Sequence, residues 1–314
     1  MGQHGRHRKV LGGLQSYCGE EIARQQYLGQ AHARHGFGDD VGRTYRFNRL
    51  GFRGADPDPS ATHRVYVFGE SHAFGYFVDH EEAWPSRFLD LWREHHRLDD
   101  STVEMLNFAD PGASNASIAR MVVSQCSARR PDLVLVHFAD VRRSEVLLDG
   151  RPHRIGPWLL GDQAARAARE APGDLPATLG ELIERGRSYF RHSLGPTERW
   201  MSPVPDTTCI LEALRDILLV QSFCRAQGLR LVATCDRMED LRALAPQKHP
   251  ILAPLVAALD PTTLCNFGIW SMGAPGDDEA AGHASRDRHA RFARAMFDFY
   301  RSKQIELYRE EREL

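Results

Sequence analysis

The stretch that most constrains the fold is Val65-Tyr66-Val67-Phe68-Gly69-Glu70-Ser71-His72-Ala73-Phe74-Gly75, where an unbroken apolar run stops at a glycine and a serine follows two residues later. β-Branched and aromatic residues without polar alternation predict a buried strand, Gly69 permits a tight exit, and Gly75 opens the way for the next segment. A serine at the C-terminal edge of such a strand stands where open α/β sheets place ligand chemistry. By itself, Gly-x-Ser after a strand also fits an ordinary helix-capping serine.

The alternation continues downstream. Trp84, Phe88, Leu91 and Trp92 form one apolar stripe of a helix within residues 82–97, and core packing accounts for those tryptophans. A strand at 103–108 follows. Ser114 and Asn115 stand where an N-cap is wanted, ahead of Ile118, Val122 and Cys126 on one face of a helix ending near Arg130-Pro131. Then come a strand at 133–138, apolar apart from His137, a long helix at about 206–227 stopped by Gly228, a strand at 229–235, and a shorter fifth strand near 263–269. Strand, helix, strand in repetition means a parallel sheet. One large domain covers residues 61–314, with an N-terminal arm over 1–60. An insertion at about 146–205, rich in Gly, Pro and Arg, breaks the alternation. Its Trp158, Tyr189, Phe190 and Trp200 fit a pocket wall or a small satellite core equally well.

Composition excludes some partners. A formal net charge of -2 gives no electrostatic reason to expect nucleic acid or an anionic membrane. The six cysteines contain no C-x-x-C pair, so neither zinc nor a redox motif is indicated, and buried reduced thiols point to a reducing compartment. No apolar run approaches the roughly 20 residues that span a bilayer, and the cytoplasm is the expected location.

Four segments, Tyr45–Gly54, Gly69-Glu70-Ser71, Asn107–Ser114 and Gly276–His289, resemble the SGNH (GDSL-like) hydrolase family. In that family a Gly-Asp-Ser nucleophile follows the first strand, an Asn-x-Gly-x-x-Gly block follows the second, and an acid with a histidine precedes the closing helix. Ser71, Gly112 and His283 match the nucleophile, the oxyanion glycine and the catalytic histidine, and His289 matches a second, helix-borne histidine. The segment Asn48-Arg49-Leu50-Gly51-Phe52-Arg53-Gly54 matches a lead-in found before the serine block in many bacterial members, whose aromatic and arginine residues are expected to pack over the sheet.

The departures are specific. Glu70 replaces the aspartate, Ala109 the first glycine of block two, and Ala139 the block-three asparagine that donates to the oxyanion. Asn115, Arg142 and Arg143 are candidate substitutes for that donor, and His72, Arg142 and Arg143 are candidates for binding substrate. The family acid stands three residues before the histidine, where this chain has Ala280. Asp277, Asp278 and Glu279 lie just upstream, with Asp278 preferred, and a Ser–His dyad results if none reaches His283. The resemblance implies a three-layer α/β/α sandwich of flavodoxin-like type with about five parallel strands. It also implies an esterase or acyltransferase acting on an O-acyl group of a small molecule or carbohydrate, without metal or organic cofactor. The alternative is a binding protein that has kept the fold. A nucleotide-binding module is a third class, but no Gly-x-Gly-x-x-Gly or Walker loop follows the first strand.

Overall fold

The structure is a computed structural model that describes Tyr45 and residues 48–148, 151–155, 207–236, 250–277 and 283–313. Its frame is a four-stranded parallel sheet. Strand β1 (His63–Phe68) runs into a single helical turn, α1 (Ser71–Phe74), and a second helix, α2 (Trp84–His96). Strand β2 (Val103–Asn107), helix α3 (Asn115–Ala128) and strand β3 (Leu133–Phe138) follow. After the hairpin β4 (Ser144–Leu148) and β5 (Arg151–Ile155) come α4 (Thr207–Ala226), β6 (Arg230–Cys235), α5 (Leu252–Ala258) and α6 (Arg286–Glu313).

Spatial order is β2-β1-β3-β6, all parallel. The expected fifth strand is reduced to one parallel bridge, Ala233 to Leu264, with Ala233 N–H donating to Thr263 O (2.7 Å) and Cys265 N–H to Ala233 O (2.8 Å). The chain then turns into a short 3₁₀ segment at Ile269–Met272 rather than extending the pairing. From β1 the winding goes first outward to β2 and then back across to β3, so the direction reverses between β1 and β3. The C-terminal ends of those two strands flank the crevice where such sheets bind ligands.

The apolar runs are continuous because both faces are covered. Tyr66 and Phe68 point to one layer, with Ile118 and Val122 of α3 and Ile210, Leu214 and Ile217 of α4. Val65 and Val67 point to the other, with Trp84, Phe88 and Trp92 of α2 and Phe292, Met296 and Tyr300 of α6. Trp92 Nε1–H donates to Tyr300 Oη at 3.0 Å, which satisfies the indole and fixes α2 against α6. The result is a three-layer α/β/α sandwich. Ser114 caps α3 by accepting from Ser117 N–H (3.1 Å), and Gly228 at φ 61 ends α4.

Two features differ from what the sequence suggests. The β4/β5 hairpin opens the insertion, where Arg151-Pro152-His153-Arg154-Ile155 lacks an apolar rhythm that would announce a strand. The lead-in does not simply lie over the sheet. Asn48 Oδ1 accepts from Leu50 N–H and Phe52 N–H at 3.0 and 3.1 Å, closing a turn that drives Phe52 against Phe108. Arg53 is then buried and donates to the carbonyls of Phe74, Gly75 and Val78. The remainder of the N-terminal arm, the rest of the insertion with Trp158, Tyr189, Phe190 and Trp200, and Asp278 with Glu279 lie outside the described residues. Among the described residues, no helix is long and apolar enough to cross a membrane.

The exit of β1 admits no side chain at residue 69. A Cβ there would meet Ala73 Cβ at 2.6 Å and the His137 carbonyl oxygen at 2.8 Å. Gly69→Ala is therefore expected to cost about 1–3 kcal/mol of stability by overpacking, read as a lower urea midpoint. An unchanged midpoint would show that the close approach of β1 and β3 is not a constraint.

Candidate active site

The site is built on the ends of adjacent strands. Two residues after β1, Glu70 serves as the N-cap of α1, its Oε1 accepting from His72 N–H at 3.0 Å. The same oxygen lies 3.0 Å from His72 Nδ1 and 3.0 Å from Nδ1 of His137, the penultimate residue of β3. Its partner Oε2 accepts from Ser71 Oγ–H at 2.6 Å and from Arg143 at 3.3 Å. Asp236, just beyond β6, brings Oδ1 to 3.7 Å from His72 Nδ1. Glu70 and His137 are fully enclosed, and Ser71, His72 and Asp236 are buried. Two carboxylates, two imidazoles, a guanidinium and a serine hydroxyl thus share one small volume.

Electrostatics within this cluster follow from proximity. Burial alone would raise the Glu70 carboxyl, but the His72 charge and the contacts with His137, His72 and Arg143 hold it well below its usual range. Burial works against charge on His72 as well, yet Glu70, with help from Asp236, raises it above the ordinary histidine value. Asp236 is pushed up, mainly by burial. Glu70 is therefore a stable anion and a weak base.

His283 packs beside the α1 turn. Its ring centroid lies 5.3 Å from that of His72, 5.3 Å from Tyr76 and 5.1 Å from Phe77. Three neighbours within six residues of Ser71 bring this imidazole to the serine turn. Trp270 meets His72 edge to face at 5.2 Å and carries Arg288 over its ring at 4.9 Å. Of the acids upstream of His283, Asp277 accepts from Arg291 at 2.6 and 2.7 Å and from Arg288 at 3.2 Å. With the Arg291 hydrogen bond as the main cause, its carboxyl is lowered to about 2. His289 is fully buried; its Nδ1 accepts from Trp84 N–H at 3.1 Å, and burial keeps it neutral by lowering its pKa well below the ordinary value. That histidine is a core residue tying α6 to α2.

On the oxyanion side, Asp110 N–H donates to Gly69 O at 2.9 Å, hanging the loop after β2 on the exit of β1. Gly112 occupies that loop at φ 80, a conformation that favours glycine. Asn115 is engaged elsewhere than expected: its Oδ1 accepts from Ala139 N–H at 2.8 Å and its Nδ2–H donates to Ala139 O at 3.2 Å. It seals the backbone of the residue that replaces the block-three asparagine. Arg142 pairs with Asp140 at 2.7 and 3.0 Å, whereas Arg143 turns inward to Glu70. Among the described residues no group of three His, Cys, Asp or Glu side chains is arranged to hold a metal ion.

Sequence reasoning passed over His137, Asp236 and Trp270. A signal existed for the first two: one polar residue in an otherwise apolar strand, and an acid just past the end of another. Nothing local marked Trp270.

No protein-family model and no curated protein sequence matches the chain. Among solved structures it is similar to TesA (TM-score 0.39, 12% identity, covering 77% of this chain and 99% of that one). It is similar to AlinE4, an SGNH-hydrolase family esterase (TM-score 0.35, 12% identity, 70% and 83%). A third is an acetyl xylan esterase, Est2A, from the rumen bacterium Butyrivibrio proteoclasticus (TM-score 0.42, 8% identity, 79% and 66%). Likeness at this level carries no activity across to this chain.

The buried ion pair sets a pH window. Glu70, depressed when folded, contributes stability that is complete above its ordinary value of 4.5 and is lost as pH falls through its folded value. His72, raised when folded, contributes stability that is complete below 6.5 and is lost as pH rises through its folded value. His289, depressed, instead makes the fold less stable as pH drops below 6.5, because only the unfolded chain takes up that proton. Glu70→Gln measured by urea unfolding near pH ~5.5, inside the window, should lose about 3–5 kcal/mol. Equal stability of the two proteins there would remove Glu70 as the organising charge.

Proposed function

We propose that the chain is a serine-dependent esterase or acyltransferase acting on an O-acyl group of a small molecule or carbohydrate, with Ser71 as nucleophile and His283 as general base. The observation that carries this reading is the packing of the His283 ring against His72, in the turn that holds Ser71, and against Tyr76 and Phe77 just after it.

The chemistry follows from the two candidate bases beside Ser71. A serine hydroxyl is a poor nucleophile until its proton is taken. Glu70 accepts that hydrogen at rest, but as a carboxylate held well below its usual range it is too weak to remove it. His283 suits the task. In the reaction Ser71 Oγ attacks the ester carbonyl carbon while its proton passes to His283. The tetrahedral oxyanion receives backbone N–H groups of Ser71 and Gly112, the former in the first turn of α1 where no intrahelical acceptor exists. Collapse expels the alcohol, which takes the proton from His283. Water or a second alcohol then attacks the acyl-serine by the same route in reverse. Asp278 is the proposed acid behind His283; Asp277, gripped by Arg288 and Arg291, is not. Arg143 holds Glu70 in place, and His72 lines the serine turn on the His283 side.

A second reading, a binding protein on the same scaffold, is favoured by one feature: the site where the family has an oxyanion asparagine is Ala139, sealed by Asn115. One reagent separates the two. A fluorophosphonate probe should label wild-type protein and leave Ser71→Ala unlabelled, with single-site stoichiometry at Ser71 by mass spectrometry. Failure of wild type to label, together with inertness toward simple esters, would decide for the binding protein.

A further inference from the structure

The segment before β1 contributes more than cover. Tyr45 Oη accepts the N–H of Phe77 at 3.0 Å, and the Tyr45 ring stacks on Tyr76 at 5.8 Å with an interplanar angle of 24°. Arg53 lies under the same group: its guanidinium carbon is 4.8 Å from the Tyr45 ring centre and 5.3 Å from that of Phe74. Its nitrogens bind the carbonyls of Phe74, Gly75 and Val78, spanning the turn that presents Tyr76 and Phe77.

Phe77 adopts φ 63, a left-handed backbone that a bulky side chain enters only when its surroundings hold it there. What holds it is the Tyr45 hydroxyl on its N–H and the Arg53 clamp on either side. The strain has a product: it turns the Phe77 ring toward His283, at 5.1 Å and 52°, while Tyr76 lies along the imidazole at 5.3 Å and 33°. His72, pinned through Nδ1 by Glu70, supplies the third ring at 5.3 Å and 43°. All three rings limit the rotation of the imidazole, and the faces of Tyr76 and Phe77 favour its charged form once it takes a proton.

We propose that Tyr45 and Arg53 are positioning residues for His283, acting through the rings of Tyr76 and Phe77. This rests on the serine-esterase reading for its effect on turnover, though the seat itself is a matter of geometry. Two segments far apart in sequence, residues 45–53 and 283, are thereby coupled through the turn that also carries the nucleophile.

The test uses full-length Tyr45→Phe, which removes only the hydroxyl, and Arg53→Lys, which keeps charge but loses the fork. Misplacing a catalytic base by a fraction of an ångström to one ångström lowers rates by up to about 10²-fold. Both variants are therefore expected to slow fluorophosphonate labelling of Ser71 about 10–100-fold, with the thermal midpoint of Tyr45→Phe close to wild type. The second readout is the ¹H–¹⁵N pattern of the His283 ring, assigned with His283→Gln. A changed His283 signal in a folded Tyr45→Phe supports the proposal, because loss of distant packing would leave that ring untouched. Wild-type labelling and an unaltered His283 signal in Tyr45→Phe overturn it. If Arg53→Lys does not fold, Tyr45→Phe decides alone. If wild-type Ser71 never labels, the esterase reading fails and the ring signal still decides whether the seat exists.

Discussion

The carboxylate of Glu70 is the interaction on which the C-terminal edge of the sheet depends. A charge fully removed from water is tolerated only when its oxygens are matched by donors and opposite charge, and here the donors come from three places. The backbone and ring of His72 and the hydroxyl of Ser71 come from α1, the imidazole of His137 from β3, and the Arg143 guanidinium from the loop after β3. Each must stay within about 3 Å for the charge to remain compensated. The spacing between β1 and β3 and the pitch of α1 are therefore electrostatic requirements as well as packing ones. Gly69, crowded by Ala73 and the His137 carbonyl, is what lets the backbone come close enough.

A second constraint acts from the other side of α1. Arg53 is a buried cation whose guanidinium donates to three backbone carbonyls and lies against two aromatic faces. It fixes the stretch from Phe74 to Val78, as Glu70 fixes Ser71 and His72. The serine turn is thus gripped at both ends by oppositely charged groups that do not touch each other. Such double anchoring suits a segment that has to present a nucleophile on one side and an aromatic seat on the other without shifting.

The positions at which the chain departs from the SGNH pattern it resembles form a connected set. With glutamate in place of aspartate after Gly69, one carboxylate reaches both histidines and Arg143. With alanine at position 139, the backbone there is free to pair with the Asn115 amide, which closes the end of β3 onto α3. The histidine two positions before Ala139 and the histidine after Ser71 both belong to the Glu70 cluster. Each substitution makes physical sense beside the others, and the chain carries a polar core under its serine turn in addition to whatever chemistry that turn performs.

Much of this was legible in the chain itself. Runs such as Val65–Phe68 and Leu133–Phe138 predict buried parallel strands because β-branched and aromatic residues on both faces leave no water-facing side, and the structure bears this out. Ser114 and Gly228 mark helix ends through local hydrogen bonding and backbone preference, which depend only on near neighbours. Ser71 and His283 stand out as a motif pair for the same reason of short range. The Glu70 cluster was not legible. Its members stand at positions 70, 72, 137, 143 and 236, and only the parallel packing of β1, β3 and β6 brings their ends together. Asp277 looked as available as any acid in its loop until α6 folded Arg288 and Arg291 onto it. Tyr45 read as one more aromatic of a packing segment. Local sequence determined the strands, the caps and the identity of the reactive groups, because propensity and burial act within a few residues. Which charge compensates which, and which ring faces which, was decided only in the tertiary structure, because Coulomb and ring contacts depend on distance in space and are indifferent to separation along the chain.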